Sequence, residues 1–181
     1  TKKRNKLLYQ SEHDELTGLY NKRSLNRYLE DVFEACKLNE KELGILFLDI
    51  DYFKQLNDRY GHGKGDEGIC AVADTLKRIF PEDYVARYGG DEFLVVMTGR
   101  DLAYAMEHAE LLCAGIREYK IPNEDSELEP WLTISVGGVC AIPKEPNRVW
   151  DFLSAADNTL YEQKKEQKGK VRFYQGEGKY L

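Results

Sequence analysis

Apolar residues along the chain change period from segment to segment, and each period names an element. At Leu25, Tyr28, Leu29, Val32, Phe33 and Cys36 they recur at i, i+3, i+4 and i+7, the spacing of one helix face, with Asn21 ahead of them as N-cap. Residues 43–48 form a continuous apolar run, as expected of a central strand covered on both faces, and the run stops abruptly at Asp49-Ile50-Asp51. A short helix is predicted over 52–59, then a glycine-rich loop, Gly61-His62-Gly63-Lys64-Gly65. A second amphipathic helix presents Ile69, Val72, Ala73, Leu76, Ile79 and Phe80 on one side. A third is expected to bury Leu102, Ala105, Met106, Ala109, Leu112, Cys113 and Ile116. Residues 122–130 read as a loop and 131–139 as a strand, with Gly137-Gly138 marking a bulge. The last helix, about 149–167, is expected to turn Trp150, Leu153, Leu160 and Tyr161 inward, ahead of a terminal strand over 171–174.

Between the second and third helices the pattern breaks its own rule. The strand-like runs Tyr84-Val85-Ala86 and Leu94-Val95-Val96-Met97 flank Arg87-Tyr88-Gly89-Gly90-Asp91-Glu92-Phe93. The Gly-Gly pair reads as a tight hairpin turn, where glycine supplies positive φ. Asp91 and Glu92, however, are adjacent acids in an otherwise apolar strand, where acids are disfavoured. They are either solubilising charges on an exposed turn or two carboxylates held at a rigid tip for a hard cation. The element order gives an α+β fold, a mixed sheet with helices packed on it.

Composition narrows the field. The 181 residues suit one domain with a sizeable core, 42 % apolar and 32 % charged. A net charge of −6 supplies no basic field for nucleic acid or an anionic membrane. Cys36, Cys70, Cys113 and Cys140 lie far apart without CxxC spacing and read as reduced, buried thiols of a cytoplasmic protein. No apolar run approaches a membrane span. The lead, residues 1–13, is basic, with Lys2, Lys3, Arg4 and Lys6, and is either the tail of a helix from an upstream domain or a frayed terminus.

Placed on this scaffold, the acids gain a purpose. Asp49 ends one strand and Asp91-Glu92 open another, so a mixed sheet can gather three carboxylates at one edge. Such a cluster repels itself unless a cation joins it, and all-oxygen ligation with few carboxylates is the preference of Mg²⁺. Ile50 can add its carbonyl. Lys54, Arg87 and the glycine loop offer cations and amides to phosphate oxygens. The set suits metal-dependent phosphoryl or nucleotidyl transfer; surface salt bridging is the plainer reading of Lys54 and Arg87.

These residues carry a resemblance. From about Asp14 to Tyr174 the chain resembles the GGDEF diguanylate cyclase family in five separated segments. They are Asp14-Glu15-Leu16-Thr17-Gly18-Leu19 with Asn21 and Arg23; Asp49 to Lys54 followed by Asn57-Asp58, Gly61-His62 and Gly65-Asp66; the Gly89 to Phe93 signature; Ser135-Val136-Gly137; and Ala156-Asp157 with Leu160-Tyr161. The resemblance implies a polymerase-palm-like fold related to nucleotidyl cyclases, with a mainly antiparallel sheet around a ferredoxin-like core. It implies condensation of two GTP into cyclic di-GMP and two pyrophosphates by residues 14–176, with 1–13 the end of a signalling helix and 177–181 a tail.

The resemblance also implies roles. Asp49, Asp91 and the Ile50 carbonyl would hold Mg²⁺ or Mn²⁺, two or more ions per dimer, with Glu92 in support and Asp91 also accepting a proton. Lys54 would stabilise the transferring phosphoryl group, and Asn57 and Asp66 would read guanine. Phe53, His62, Gly89, Gly90, Arg87, Lys164 and Lys168 complete the substrate side. On the residues alone Asp66 reads as an acid at a helix N-terminus, a role that can coexist with reading guanine, and His62 as a loop-bracing residue. A homodimer is required, since each 3′-hydroxyl must meet the other nucleotide's α-phosphorus. An upstream sensory domain would align the two subunits.

Three departures stand out. Where the family's inhibitory Arg-x-x-Asp lies, this chain has Phe80-Pro81-Glu82-Asp83, so strong product inhibition through that site is not expected. Gly169 falls two residues later than usual, and Lys22-Arg23 stand where an arginine commonly leads. The alternatives are a catalytically silent nucleotide-binding or protein-interaction module, or a generic Mg²⁺-dependent nucleotide hydrolase.

Overall fold

The computed structural model describes residues 1–176; the expected tail, 177–181, lies outside them. In chain order the elements are α1 (Lys2–Glu12), α2 (Lys22–Leu38), β1 (Leu43–Ile50), α3 (Phe53–Tyr60), α4 (His62–Ile79), β2 (Tyr84–Arg87), β3 (Glu92–Thr98), α5 (Leu102–Glu118), β4 (Ile134–Ala141), α6 (Val149–Glu166) and β5 (Val171–Phe173). The strands form one sheet in the order β2-β3-β1-β4-β5, antiparallel except for the β4–β5 pair. β1 is central and buried along its whole length, as its unbroken apolar run predicts.

Alternation along β1 assigns each face. Leu46, Leu48 and Ile50 join the core under α4 and α5, whereas Leu43, Ile45 and Phe47 join the core under α2 and α6. By the same parity Asp49 points toward the α6 side. Its partner across the β1–β3 ladder is Glu92, so the two acids share that face.

Several local expectations give way to packing. The pair Gly137-Gly138 makes no bulge, because β4 pairs with β1 without interruption from Leu43–Ala141 to Ile50–Ile134. The glycines are there for close approach. A Cβ on Gly137 would fall 2.3 Å from the Leu160 nitrogen and 2.5 Å from the Ala156 carbonyl oxygen, so α6 rests its backbone on the strand. Gly137→Ala is therefore expected to cost about 3 kcal/mol, the upper part of the usual overpacking range, because backbone cannot turn aside as a side chain can. Urea unfolding measures it.

That close seat fixes the rotation of α6. Its buried face is Phe152, Ala155, Ala156, Thr159, Leu160 and Gln163, leaving Trp150 (68 % exposed) and Tyr161 (60 % exposed) outside, contrary to the expected inward turn. Met106 and Leu102 on α5 are likewise exposed, while Ala105, Ala109, Leu112, Cys113 and Ile116 are buried. The glycine-rich stretch is not a loop. α4 starts at His62, and Gly61 (φ 88°) is the single joint between it and α3.

The lead is the helix α1, with no buried residue. It is tied down at its end, where Asn21 Nδ2 donates to the Ser11 carbonyl and Ser24 Oγ to the Glu12 carbonyl. Five rings, Tyr9, His13, Tyr20, Tyr84 and Tyr28, stack in succession with centroids 3.9–4.6 Å apart, joining α1 to β2 and α2. Asn21 caps α2 as predicted, accepting from the Ser24 amide.

Candidate active site

The site forms where β1 ends. The Ile50 amide donates to the Asp91 carbonyl (3.3 Å), which sets the β1 terminus beside the signature turn. The adjacent strand ends thus come together as expected. Asp49, Asp91 and Glu92 are neighbours there, Glu92 as the ladder partner of Asp49, although among the described residues no three acidic, imidazole or thiol groups are already grouped to hold an ion. Asp49 Oδ2 accepts from Lys164 Nζ on α6 at 2.5 Å. Its other oxygen, Oδ1, is buried without a hydrogen-bond partner.

Burial raises the Asp49 carboxyl to about 6 even against the pull of Lys164, with Asp51 and Asp91 adding repulsion. Burial also raises Asp91 and Glu92, the latter helped by Asp91 and Asp157. Lys164 moves up as well, because pairing with Asp49 outweighs its burial. An orphaned buried oxygen beside a second shifted carboxylate is a donor set in need of positive charge. It fits Mg²⁺ or Mn²⁺, which take one or two protein carboxylates and leave the other positions to water and phosphate.

A cavity of about 430 Å³ opens from this point. Asp49, Ile50 and Asp91 form its floor, α3 contributes Phe53, Lys54 and Asn57, and His62 stands at the start of α4. Lys164 and Lys168 face them from α6 and the segment after it. Lys54 is exposed and makes no ion pair with any described residue, so the salt-bridge reading fails for it.

Asn57 Oδ1 is a second buried oxygen without a partner. It occupies the space a side chain at 65 would need: a Cβ on Gly65 would lie 1.9 Å from it. Gly65 thus serves Asn57, a role its reading as a loop residue concealed. Asp66 is exposed and does not line the cavity; it lies one turn after His62 on the same helix face.

Arg87, Glu92, Gly89 and Gly90 also lie outside the lining. Arg87 is a brace. Its Nη2 donates to the Gly90 carbonyl (2.8 Å), its Nε to those of Gly89 and Gly90, and its Nη1 reaches Asp14 at 3.3 Å. Asp14 also accepts from the Thr17 amide and hydroxyl, and these bonds with Arg87 outweigh burial and lower its pKa. Gly89 and Gly90 do not use positive φ, so the turn does not need them for that reason. A Cβ on Gly90 would meet nothing within 4 Å, which leaves room beside the backbone. Lys22, at the departure from the usual arginine, lies 4.3 Å above the Tyr88 ring.

Asp51 carried no expected role, and it anchors the site. Only 2 % exposed, it accepts from Ser135 Oγ (2.6 Å) and Thr133 Oγ1 (2.8 Å). Ser135 Oγ in turn accepts from the Gly169 amide (2.9 Å), binding the end of β1 to the segment after α6.

Sheet order and cleft together define a palm-like α+β domain of the nucleotidyl-cyclase type. The comparisons agree: a family described as "Diguanylate cyclase, GGDEF domain" matches residues 11–170, and the chain belongs to the GGDEF domain family. The "Probable diguanylate cyclase DgcC" of Escherichia coli is 32 % identical over 162 residues, covering 88 % of this chain and 42 % of the relative. The bifunctional diguanylate cyclase/cyclic di-GMP phosphodiesterase MucR of Pseudomonas aeruginosa is 30 % identical over 90 % of this chain and 23 % of its own length. The chain therefore spans less than half of either relative. The coiled coil and GGDEF domain of DgcB from Caulobacter crescentus, solved with c-di-GMP, superposes with a TM-score of 0.86 at 23 % identity over 95 % of this chain and 90 % of that one, a likeness of fold. The diguanylate cyclase SiaD, solved with its activator SiaC from Pseudomonas aeruginosa, gives 0.78 at 27 % identity, over 94 % and 66 %.

Proposed function

We propose that residues 14–176 are the catalytic domain of a diguanylate cyclase that condenses two GTP into cyclic di-GMP and two pyrophosphates. The observation that carries this reading is the single cavity in which Asp49 and Asp91 meet Lys54, Asn57 and Lys164. Asp49, Asp91 and the Ile50 carbonyl, supported by Glu92, would hold Mg²⁺ or Mn²⁺, which when bound polarises the α-phosphate and neutralises the departing pyrophosphate.

The chain's own groups do the rest. Lys164 exchanges Asp49 for triphosphate oxygens, and Lys54, unpaired, meets the charge on the transferring phosphoryl group. Asp91 accepts the proton of the attacking 3′-hydroxyl as its oxygen bonds to the α-phosphorus of the other GTP and the bond to pyrophosphate breaks. Asn57 and Asp66 read guanine, whose N1–H and amino group a carboxylate accepts from; adenine offers no such pair of donors.

One subunit holds one nucleotide, so two must face each other in a homodimer. Residues 1–13 are read as the end of a helix through which an upstream sensory domain would align the pair. Among the described residues no helix is long and apolar enough to cross a membrane. GTP as substrate assigns the domain to the cytoplasm.

Chromatography of GTP reactions with Mg²⁺ over a range of protein concentrations tests the proposal. The expected product is cyclic di-GMP, at a rate per subunit that rises with concentration until dimers saturate. A rate per subunit independent of concentration in a proven monomer would remove the dimer requirement. Guanosine diphosphate without cyclic product would favour a hydrolase. Absence of any product under forced dimerisation would favour a binding module.

A further inference from the structure

We infer that Tyr52 is a positioning residue for the triphosphate end of this site, holding the Lys168 ammonium over the cavity before substrate arrives; the inference rests on the function proposed above. The Lys168 Nζ lies 4.4 Å from the centroid of the Tyr52 ring, and both residues line the cavity. A cation over an aromatic face is held by the ring's quadrupole.

The pairing is built into the backbone. Tyr52 follows Asp51, and Lys168 precedes Gly169, the two residues that Ser135 Oγ ties together. Each partner is therefore one bond from the same buried anchor. Tyr52 itself sits at φ 53°, ψ 36°, the left-handed region that a bulky aromatic residue rarely adopts. Its carbonyl accepts from the Leu56 amide (3.0 Å) and from Asn123 Nδ2 (3.4 Å), while its hydroxyl reaches Glu127 only at 3.5 Å. On the other side, the Gln167 amide donates to Gln163 and the Gly169 carbonyl accepts from Arg117 Nη2 (2.6 Å).

The consequence concerns entropy. A lysine ammonium at the end of four rotatable carbons is diffuse unless something holds it. Resting it on Tyr52 restricts it in advance, so that less freedom is lost when a phosphate takes it up. Lys164 is hydrogen-bonded by Asp49 and Lys168 rests on the Tyr52 ring, with the buried Asp51 carboxylate attracting both cations from behind. The expected effect is on GTP binding, with kcat changed less.

Three variants of the whole chain separate the possibilities: Tyr52→Asn, which removes the ring and suits a left-handed backbone; Tyr52→Phe, which keeps the ring; and Lys168→Ala. Binding is read by calorimetric titration with 3′-deoxy-GTP, which lacks the attacking hydroxyl, alongside GTP kinetics and thermal unfolding. Tyr52→Asn is expected to weaken binding and raise KM by about fivefold, the scale of one such contact, and Lys168→Ala by at least as much, since it removes the phosphate contact as well as the held cation. The double variant should be no weaker than Lys168→Ala alone, and Tyr52→Phe should stay within about twofold of the unmodified chain. Tyr52→Asn should melt no lower than the unmodified chain, an outcome a merely structural tyrosine would not give. Unchanged affinity in Tyr52→Asn, or a full loss in Tyr52→Phe, would overturn the inference while leaving the proposed function standing. If the unmodified chain binds no guanine nucleotide, both fall.

Discussion

Replacing Asp91 by Ala, or Asp49 by Asn, is expected to lower cyclic di-GMP formation by about a thousandfold or more without unfolding the domain. In the proposed reaction a metal held by these two carboxylates would supply several kcal/mol of charge stabilisation, and about 4 kcal/mol corresponds to that factor in rate. Asp49 offers a second, independent readout. Its folded pKa of about 6 lies above the ordinary 3.8, so the fold favours its protonated form. The stability this group contributes is complete below pH 3.8 and is lost as pH rises through about 6. Chain stripped of metal by chelator should therefore gain stability between pH 7 and pH 5. Asp51, Asp91 and Glu92 are shifted the same way and add to the trend. Asp49→Asn removes one contributor and should flatten the profile, raising stability at pH 7 by up to about 3 kcal/mol, the equivalent of a shift of about two units. A variant that loses both product and stability at pH 7 would mean that Asp49 holds the fold and not the metal.

Phe80→Arg is expected to destabilise the domain by about 4 kcal/mol and lower its melting temperature by about 10 °C, and to create no inhibitory site. At the sequence level, position 80 is simply where the family's inhibitory arginine is missing. In the fold Phe80 is 1 % exposed, within the same buried cluster as Leu76, Val85 and Leu112. An arginine there would bury a charge or force α4 away from β2. The retained acid is also already engaged: Asp83 accepts from Tyr104 Oη at 2.9 Å, with Arg100 stacked 4.6 Å above the Tyr104 ring. Thermal unfolding checks the stability loss. Cyclic di-GMP titrated into the GTP reaction of the unmodified chain should leave turnover unchanged through this site. Inhibition that disappears in Asp83→Ala would show the site to be working after all.

Much of this was legible residue by residue. Asn21 announces the start of α2, the run from Leu43 to Leu48 announces a strand buried on both sides, and the acids that close that run announce a strand end. In each case the signal is local: a side chain satisfying its own backbone, or burial demanding apolar residues in sequence. The resemblance then assigned chemistry to residues whose types already suited it. Expectations failed where the deciding contact was distant. Glycines at 61–65 read as a loop because glycine weakens helices, yet Gly65 is helical and small to admit Asn57 from α3. Trp150 and Tyr161 read as inward-facing along with Leu153 and Leu160, yet α6 seats its backbone on Gly137 and leaves both exposed.

The sequence by itself determined the layer architecture and which acids fall at strand ends, because hydrophobic period and acid placement are properties of the chain. Tertiary structure alone decided the allegiances. It turned Asp49 toward Lys164 across 115 positions of sequence, made Arg87 a brace between Asp14 and the signature turn, and used Asp51 to anchor the two segments that bring Tyr52 under Lys168. The physical reason is parity and distance. A strand apolar on both faces does not say which face its terminal acid will share, and a lysine's type does not say which oxygen it will find; only the packed helix on one side of the sheet supplies both answers.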